Sequence, residues 1–284
     1  MKNILLGAVS LDIYKDEGII LPGGGCLNMA YHWQQLGFSF QFLTRIGQDQ
    51  LTLFLDFFDT HKIDYLPQSV VGIGQSAAIE IAFSKAGQPT MDNFVEGVWA
   101  DFELTAVEQT LVSNAKTVHT VLVTGTIREL IRLGNLQALT KPLVSADFLD
   151  FRHFSAISFA QILPFVDVGF IGWPRERNDK MLGTIRQIVF EQKKLLIVTL
   201  GAKGVLVFDG REGNREQFFE VDAIPVKETA VGCGDAFIAY FLAEFNRNGN
   251  IAQAVERGKI GGALATAWQR PLPNEAYLPD NMTK

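Results

Sequence analysis

Short apolar runs alternate with helix-length amphipathic stretches along most of the chain. Runs at 3–9, 40–46, 118–124, 142–147, 166–171, 195–200 and 204–208 have the length of strands. Between them lie segments long enough for helices, at 27–36, 51–61, 103–113, 128–139 and 179–192. Strands alternating with helices predict βαβ units and a mainly parallel sheet covered on both faces. Right-handed crossovers then gather the loops that follow the strands along one edge, where ligands of open α/β sheets bind. One stretch departs from this rhythm. Residues 75–94 hold two extended runs around the turn Lys85-Ala86-Gly87-Gln88-Pro89, which predicts a hairpin. Another extended run, at 18–21, precedes the triplet Gly23-Gly24-Gly25. These pieces form either a small sheet projecting from the main one or a plain surface hairpin.

Composition narrows the classes. Hydrophobic residues make up 48% and charged ones 20%, enough to build a core and too apolar for a disordered chain. The 25 basic and 31 acidic residues give a net charge of −6, which argues against a general nucleic-acid binder while leaving room for one local anion site. No run reaches the ~18 apolar residues of a membrane span. Asp12 and Lys15 interrupt the apolar start, so it reads as a first strand rather than a leader, and a cytoplasmic location is expected. Cys26 and Cys233 stand far apart and the His residues never pair at ligand spacing, which excludes a disulfide framework and a Cys or His zinc site.

Four short segments could carry chemistry. Thr229-Ala230-Val231-Gly232-Cys233-Gly234-Asp235 opens an apolar helical stretch. Its glycines would bare backbone N–H groups at a positive helix end, suited to phosphate. Asp235 in that first turn could take a proton from an attacking hydroxyl. The same residues also suit an ordinary helix start. A Rossmann fingerprint fits poorly, because Ile238 stands where the third glycine belongs, so a dehydrogenase on a similar sheet is disfavoured. Pro22-Gly23-Gly24-Gly25-Cys26-Leu27-Asn28 lets backbone approach a ligand and offers the Asn28 amide, or is a simple turn. Thr199-Leu200-Gly201-Ala202-Lys203-Gly204 reads as strand, turn, strand. Glu176, in Trp173-Pro174-Arg175-Glu176, could hold a metal-bound water or simply be a first-turn acid.

These pieces, in this order, resemble the ribokinase-like (PfkB) family of carbohydrate kinases. Gly23-Gly24…Asn28…Leu36-Gly37 matches the early signature, and Thr229 to Asp235 the late one, normally Asp-Thr-Thr-Gly-Ala-Gly-Asp. Asp12 matches the first-strand Asp, Gly47-Gln48-Asp49 the Gly-x-Asp element, and Thr199-Leu200-Gly201-x-x-Gly204 the nucleotide-side turn. The resemblance implies a single doubly wound α/β domain over 1–284, with a small β-sheet lid from about 13–22 and 75–95. It implies ATP with Mg²⁺ and a small sugar acceptor, and allows a homodimer through the lid. Gly232, Cys233 and Gly234 would form the anion hole and Asp235 would be the base. Asp12, Gly24 and Asn28 would hold the sugar. Thr199, Gly201 and Gly204 would border ATP, and Glu176 would face Mg²⁺ through water. Within the family, residues 92–102, the short chain and the small lid resemble the fructoselysine 6-kinase subfamily, which phosphorylates an amino-acid-linked ketose on its 6-hydroxyl. The chain departs from the pattern at Thr229, Ala230 and Val231, at Trp173 in place of Asn, and at Thr52 in place of Gly. The loss of the acid at Thr229 argues against a monovalent-cation site. A family member that binds sugar or nucleotide without turnover is the alternative.

Overall fold

The computed structural model describes residues 1–83, 89–222 and 229–277. In chain order it begins β1 (Asn3–Leu6), β2 (Ser10–Tyr14), β3 (Ile19–Gly23), α1 (Gly25–Gln35), β4 (Phe40–Leu43) and α2 (Leu51–Thr60). It continues with β5 (Ala77–Phe83), β6 (Pro89–Val95), α3 (Ala106–Ser113), β7 (Thr117–Val121), α4 (Thr124–Asn135), β8 (Leu143–Asp147) and α5 (Ala156–Ile162). The remainder is β9 (Val168–Gly172), α6 (Lys180–Glu191), β10 (Leu195–Thr199), β11 (Val205–Asp209), β12 (Arg215–Phe219), α7 (Cys233–Asn248) and α8 (Ile251–Ala265).

The main sheet has the order β12-β11-β10-β9-β8-β7-β1-β4. Pairing is parallel from β4 through β10 and antiparallel at β11 and β12. Both faces of its central strands are covered, so side chains of opposite parity enter different cores. Leu195 and Ile197 join the core beneath α1, α2, α7 and α8, while Leu196 and Val198 join the one beneath α4, α5 and α6. That is why these strands read as continuous apolar runs. The expected doubly wound, mainly parallel sheet is the one observed.

A second sheet, β3-β2-β5-β6, stands apart from the first. β2 pairs antiparallel with β3 and parallel with β5, and β5 closes a hairpin with β6. Of the turn expected at 85–89, residues 85–88 lie outside the described residues, and Pro89 opens β6. The root of this sheet is fixed by Asp49, whose Oδ1 accepts from Ser76 N (2.9 Å) and Ser76 Oγ (2.8 Å). Gly47 N donates to the same hydroxyl (3.0 Å), and a Cβ at Gly47 would sit 2.1 Å from Ser76 N. The Gly-x-Asp element is thus a clasp between the body and the small sheet.

Some elements escaped the sequence pattern. β12 is exposed along most of its length and lacks an apolar face. α8 is rich in Ala and Gly, so its apolar periodicity is weak. α4 starts at Thr124 rather than near 128, because Thr126 Oγ1 accepts from Val123 N (2.9 Å) and seeds the first turn earlier.

Candidate active site

Two helix N-termini converge at the junction of the sheets. Trp33 on α1 donates its indole N–H to Ala239 O on α7 (2.9 Å), which locks the helices side by side. α7 is held from below by Phe237, Phe241 and Phe245, stacked at four-residue spacing, with Phe170 of β9 edge-on to Phe241 at 5.2 Å. The consequence is a hydrogen bond between residues distant in sequence. Asn28 Nδ2 donates to Asp235 Oδ2 at 2.8 Å. The Oδ1 of Asn28 is buried without a partner.

Gly24 caps α1 with φ 94°, and a Cβ there would press on Ser10 N at 3.0 Å. The chain passes through this left-handed position to bring α1 against β2, a turn open to glycine at little cost. Gly25 has no room for a side chain either, since a Cβ would lie 2.9 Å from Asp235 Oδ1.

Asp12 lies on β2, in the small sheet, and not on the first strand of the main sheet. β1 ends at Leu6, and Gly7-Ala8-Val9 carries the chain from one sheet to the other. Asp12 is 4% exposed and accepts from Ser10 Oγ at 3.0 Å. Burial, reinforced by the charge of Asp235, pushes its carboxyl up to about 7.

At α7, Gly232 is the N-cap with φ 77°, and a Cβ on it would lie 2.7 Å from Pro271 Cα. The first-turn N–H groups of a helix have no intrahelical acceptor. Cys233 N turns to Ala230 O at 3.3 Å, and Ala236 N bonds back to Gly232 O at 2.9 Å. A Cβ at Gly234 would meet nothing within 4 Å, so this helix end opens onto space. Burial raises the Asp235 carboxyl to about 6, against the opposing effect of Asn28, and raises the Cys233 thiol to about 11.

A third carboxyl, not singled out in the sequence, belongs to this group. Asp147 ends β8, is 6% exposed, and accepts from Leu149 N at 2.9 Å. Burial, with the charge of Asp235, pushes it up to about 7. Its sequence signal was its place at the C-terminal end of a central strand, where sites of open α/β sheets gather.

The nucleotide-side turn is a tight connection between β10 and β11. Thr199 ends β10, Gly201 leaves open space around its Cα, and Gly204 packs under Phe218. Glu176 lies in the loop after β9, where its Oε1 accepts from Lys203 Nζ at 2.5 Å. Trp173, at the position of the expected Asn, is 5% exposed with its indole N–H unpartnered. Among the described residues no cluster of three or more His, Cys, Asp or Glu forms a metal cage. A divalent ion would therefore depend on phosphate oxygens with a single nearby acid such as Glu176, as Mg²⁺ commonly does. The open backbone at Gly201 and Gly234 fits a nucleotide's phosphates.

Comparison with known proteins agrees with this architecture. Residues 172–268 match the family described as pfkB family carbohydrate kinase. Fructoselysine 6-kinase of Escherichia coli is 24% identical over 264 residues, covering 89% of this chain and 92% of that protein. The structure of ribokinase from Thermotoga maritima superposes with a TM-score of 0.74 at 18% identity, covering 98% of each chain. Adenosine kinase from Schistosoma mansoni gives 0.80 at 16% identity, covering 96% of this chain and 97% of that one. The fold is ribokinase-like. The segment that matches the pfkB family, 172–268, holds the α7 N-terminus and Asp235.

Proposed function

We propose that this protein transfers the γ-phosphoryl group of ATP to a hydroxyl of a small sugar, with a fructosamine as the acceptor. The observation that carries the reading is the Asn28–Asp235 hydrogen bond, which joins a sugar-holding position to the carboxylate beside an open helix N-terminus. Phosphoryl transfer demands positioning and charge stabilisation more than covalent catalysis. ATP with Mg²⁺ supplies the phosphoryl group. Gly232, Cys233 and Gly234 shape the end of α7 that receives its charge, while Thr199, Gly201 and Gly204 border the nucleotide and Glu176 faces the metal through water. Asp12, Asn28 and the backbone at Gly24 hold the sugar hydroxyls. Asp235, raised to about 6, takes the proton of the attacking hydroxyl near neutral pH.

The fructosamine is favoured by the similarity to fructoselysine 6-kinase across most of the chain. The residues 92–102 that carry this likeness lie on and beyond β6, at the edge of the small sheet. The small sheet serves as a lid, and exposed Ile20, Met91, Phe94 and Val95 on it suit a homodimer. The alternative, a binding protein without turnover, draws on Trp173, Thr229 and the Lys203–Glu176 contact. An ADP-release screen over ketoses, fructosamines, pentoses and nucleosides decides. Turnover of fructosamines ahead of the rest is expected. Robust turnover of nucleosides alone overturns the acceptor, and ATP binding without ADP release from any sugar overturns the kinase.

A further inference from the structure

The segment after α8, Trp268-Gln269-Arg270-Pro271-Leu272, has no regular structure, yet three parts of the candidate site rest on it. The Trp268 ring stacks on His32 of α1 at 5.9 Å and 17°, one helical turn beyond Asn28. Arg270, only 7% exposed, crosses to the small sheet. Its Nη2 donates to Glu17 Oε2 (2.7 Å) in the turn between β2 and β3, and its guanidinium carbon lies 4.2 Å from the centroid of the Tyr14 ring. The next residue, Pro271, is pressed against the N-cap of α7. A Cβ on Gly232 would lie 2.7 Å from Pro271 Cα and 2.9 Å from its carbonyl oxygen. Leu272 is wholly buried and seats the segment in the core shared by α1 and α7.

One short strap thus touches α1, which carries Asn28, the small sheet, which carries Asp12, and the start of α7, which carries Asp235. The strap is stiff. Proline fixes φ at 271 and again at 273, and each disfavours the helical region for the residue before it, Arg270 and Leu272. A displacement of the small sheet at Glu17 therefore reaches Gly232 through two adjacent residues. An exposed ion pair would transmit little. Here the Arg270 side chain is 8% exposed and flanked by an aromatic face, so cutting the pair leaves a buried charge without its partner. We infer that Arg270 is a positioning residue for phosphoryl transfer: through Glu17 and Pro271 it holds the small sheet, and the acceptor with it, in register with the N-terminus of α7. This rests on the kinase reading above. In-line transfer tolerates little misplacement, and a shift on the order of 1 Å caused far from the chemistry can cost about 10²-fold. Arg270 acts through its neighbours and not on ATP or sugar. Loss of the tie should leave both bound but poorly aligned, and water then competes with the hydroxyl for the γ-phosphoryl group.

The test cuts the tie at its more exposed end. Glu17→Ala removes the carboxylate, while Glu17→Gln keeps an oxygen that can accept from the guanidinium. The acceptor is a fructosamine, or whichever sugar the screen above turns over best. Three quantities are measured with MgATP: kcat, the separate dissociation constants of ATP and of the sugar, and the ADP released per sugar phosphorylated. Glu17→Ala is expected to lower kcat about 10- to 100-fold and to leave both dissociation constants within about threefold. The ADP-to-product ratio should rise from near one to several, as water takes the phosphoryl group and leaves ADP and phosphate. Glu17→Gln should fall between Glu17→Ala and the wild type. A ratio that stays near one overturns the inference whatever happens to kcat, because unfolded protein lowers the rate without changing the stoichiometry. A near-wild-type kcat overturns it too, as does weaker binding of ATP or sugar at unchanged kcat. An active wild type with an unaffected Glu17→Ala removes this inference alone. A wild type that releases no ADP with any sugar removes the kinase reading and this inference with it.

Discussion

At the scale of single residues, the site is defined by three buried carboxyls raised towards neutrality, Asp12 and Asp147 to about 7 and Asp235 to about 6. A base that works near neutral pH needs a pKa in this range, and burial provides it. Asp235→Asn keeps the shape and the contact with Asn28 but removes the base. The expected result is a kcat lower by about 10²–10⁴-fold with the ATP dissociation constant within a few-fold. A near-wild-type kcat would remove Asp235 from the mechanism. For the wild type, kcat/KM should rise with pH through a midpoint near 6, as Asp235 ionises.

The same shifts make a stability prediction. Each folded pKa lies above the ordinary 3.8, so the folded chain binds more protons than the unfolded one between about pH 4 and 7. These groups therefore favour the fold at the acid end of that window and oppose it as pH rises. Asp147→Asn removes one of them while keeping an acceptor for Leu149 N. Its melting temperature should exceed that of the wild type at pH 8 and approach it at pH 4.5. A difference that does not change with pH counts against a raised Asp147.

At the scale of elements, the N-terminus of α7 separates two glycines with different duties. Gly232 is left-handed and pressed against Pro271, so Gly232→Ala combines roughly 1–2 kcal/mol of backbone strain with a steric clash. Its melting temperature should fall. A methyl at Gly234 meets nothing in the protein, and alanine suits a helix better by about 1 kcal/mol. Gly234→Ala should hold or raise the melting temperature while raising the KM for ATP at least tenfold, because under the proposed function the methyl would enter the space of the phosphates. Unchanged ATP kinetics would place the nucleotide elsewhere. Just upstream, Thr229 is 2% exposed and its hydroxyl accepts from Val231 N at 3.2 Å, so it is turned to the local backbone. With no carboxylate at 229, K⁺ should activate weakly or not at all, which a rate series in K⁺ at constant ionic strength measures. Glu228, one position earlier, lies outside the described residues.

At the scale of the whole molecule, the small sheet joins the body through a clasp at Asp49–Ser76 and a crossing at Arg270–Glu17. Its exposed apolar side chains, Val95 at 53% and Ile20 at 45% among them, give copies of the chain a surface to share. Sedimentation is expected to show a dimer, and Ile20→Glu with Val95→Glu should shift it to monomer. A wild-type monomer at tens of micromolar would exclude the lid as an interface.

The sequence by itself determined the parallel sheet, because strands buried on both faces must be apolar throughout, and it marked Asp235, Asn28 and the glycines, because only small residues fit those turns. Local chemistry sufficed for these. Tertiary structure alone decided the rest. It moved Asp12 from the main sheet to the small one, since the break after Leu6 gives no hint of which sheet follows. It brought in Asp147, whose burial and neighbours come from strands and segments far away in the chain. α8 and β12 belong with them, because an Ala-rich helix and an exposed edge strand are held by what they pack against and carry little pattern of their own.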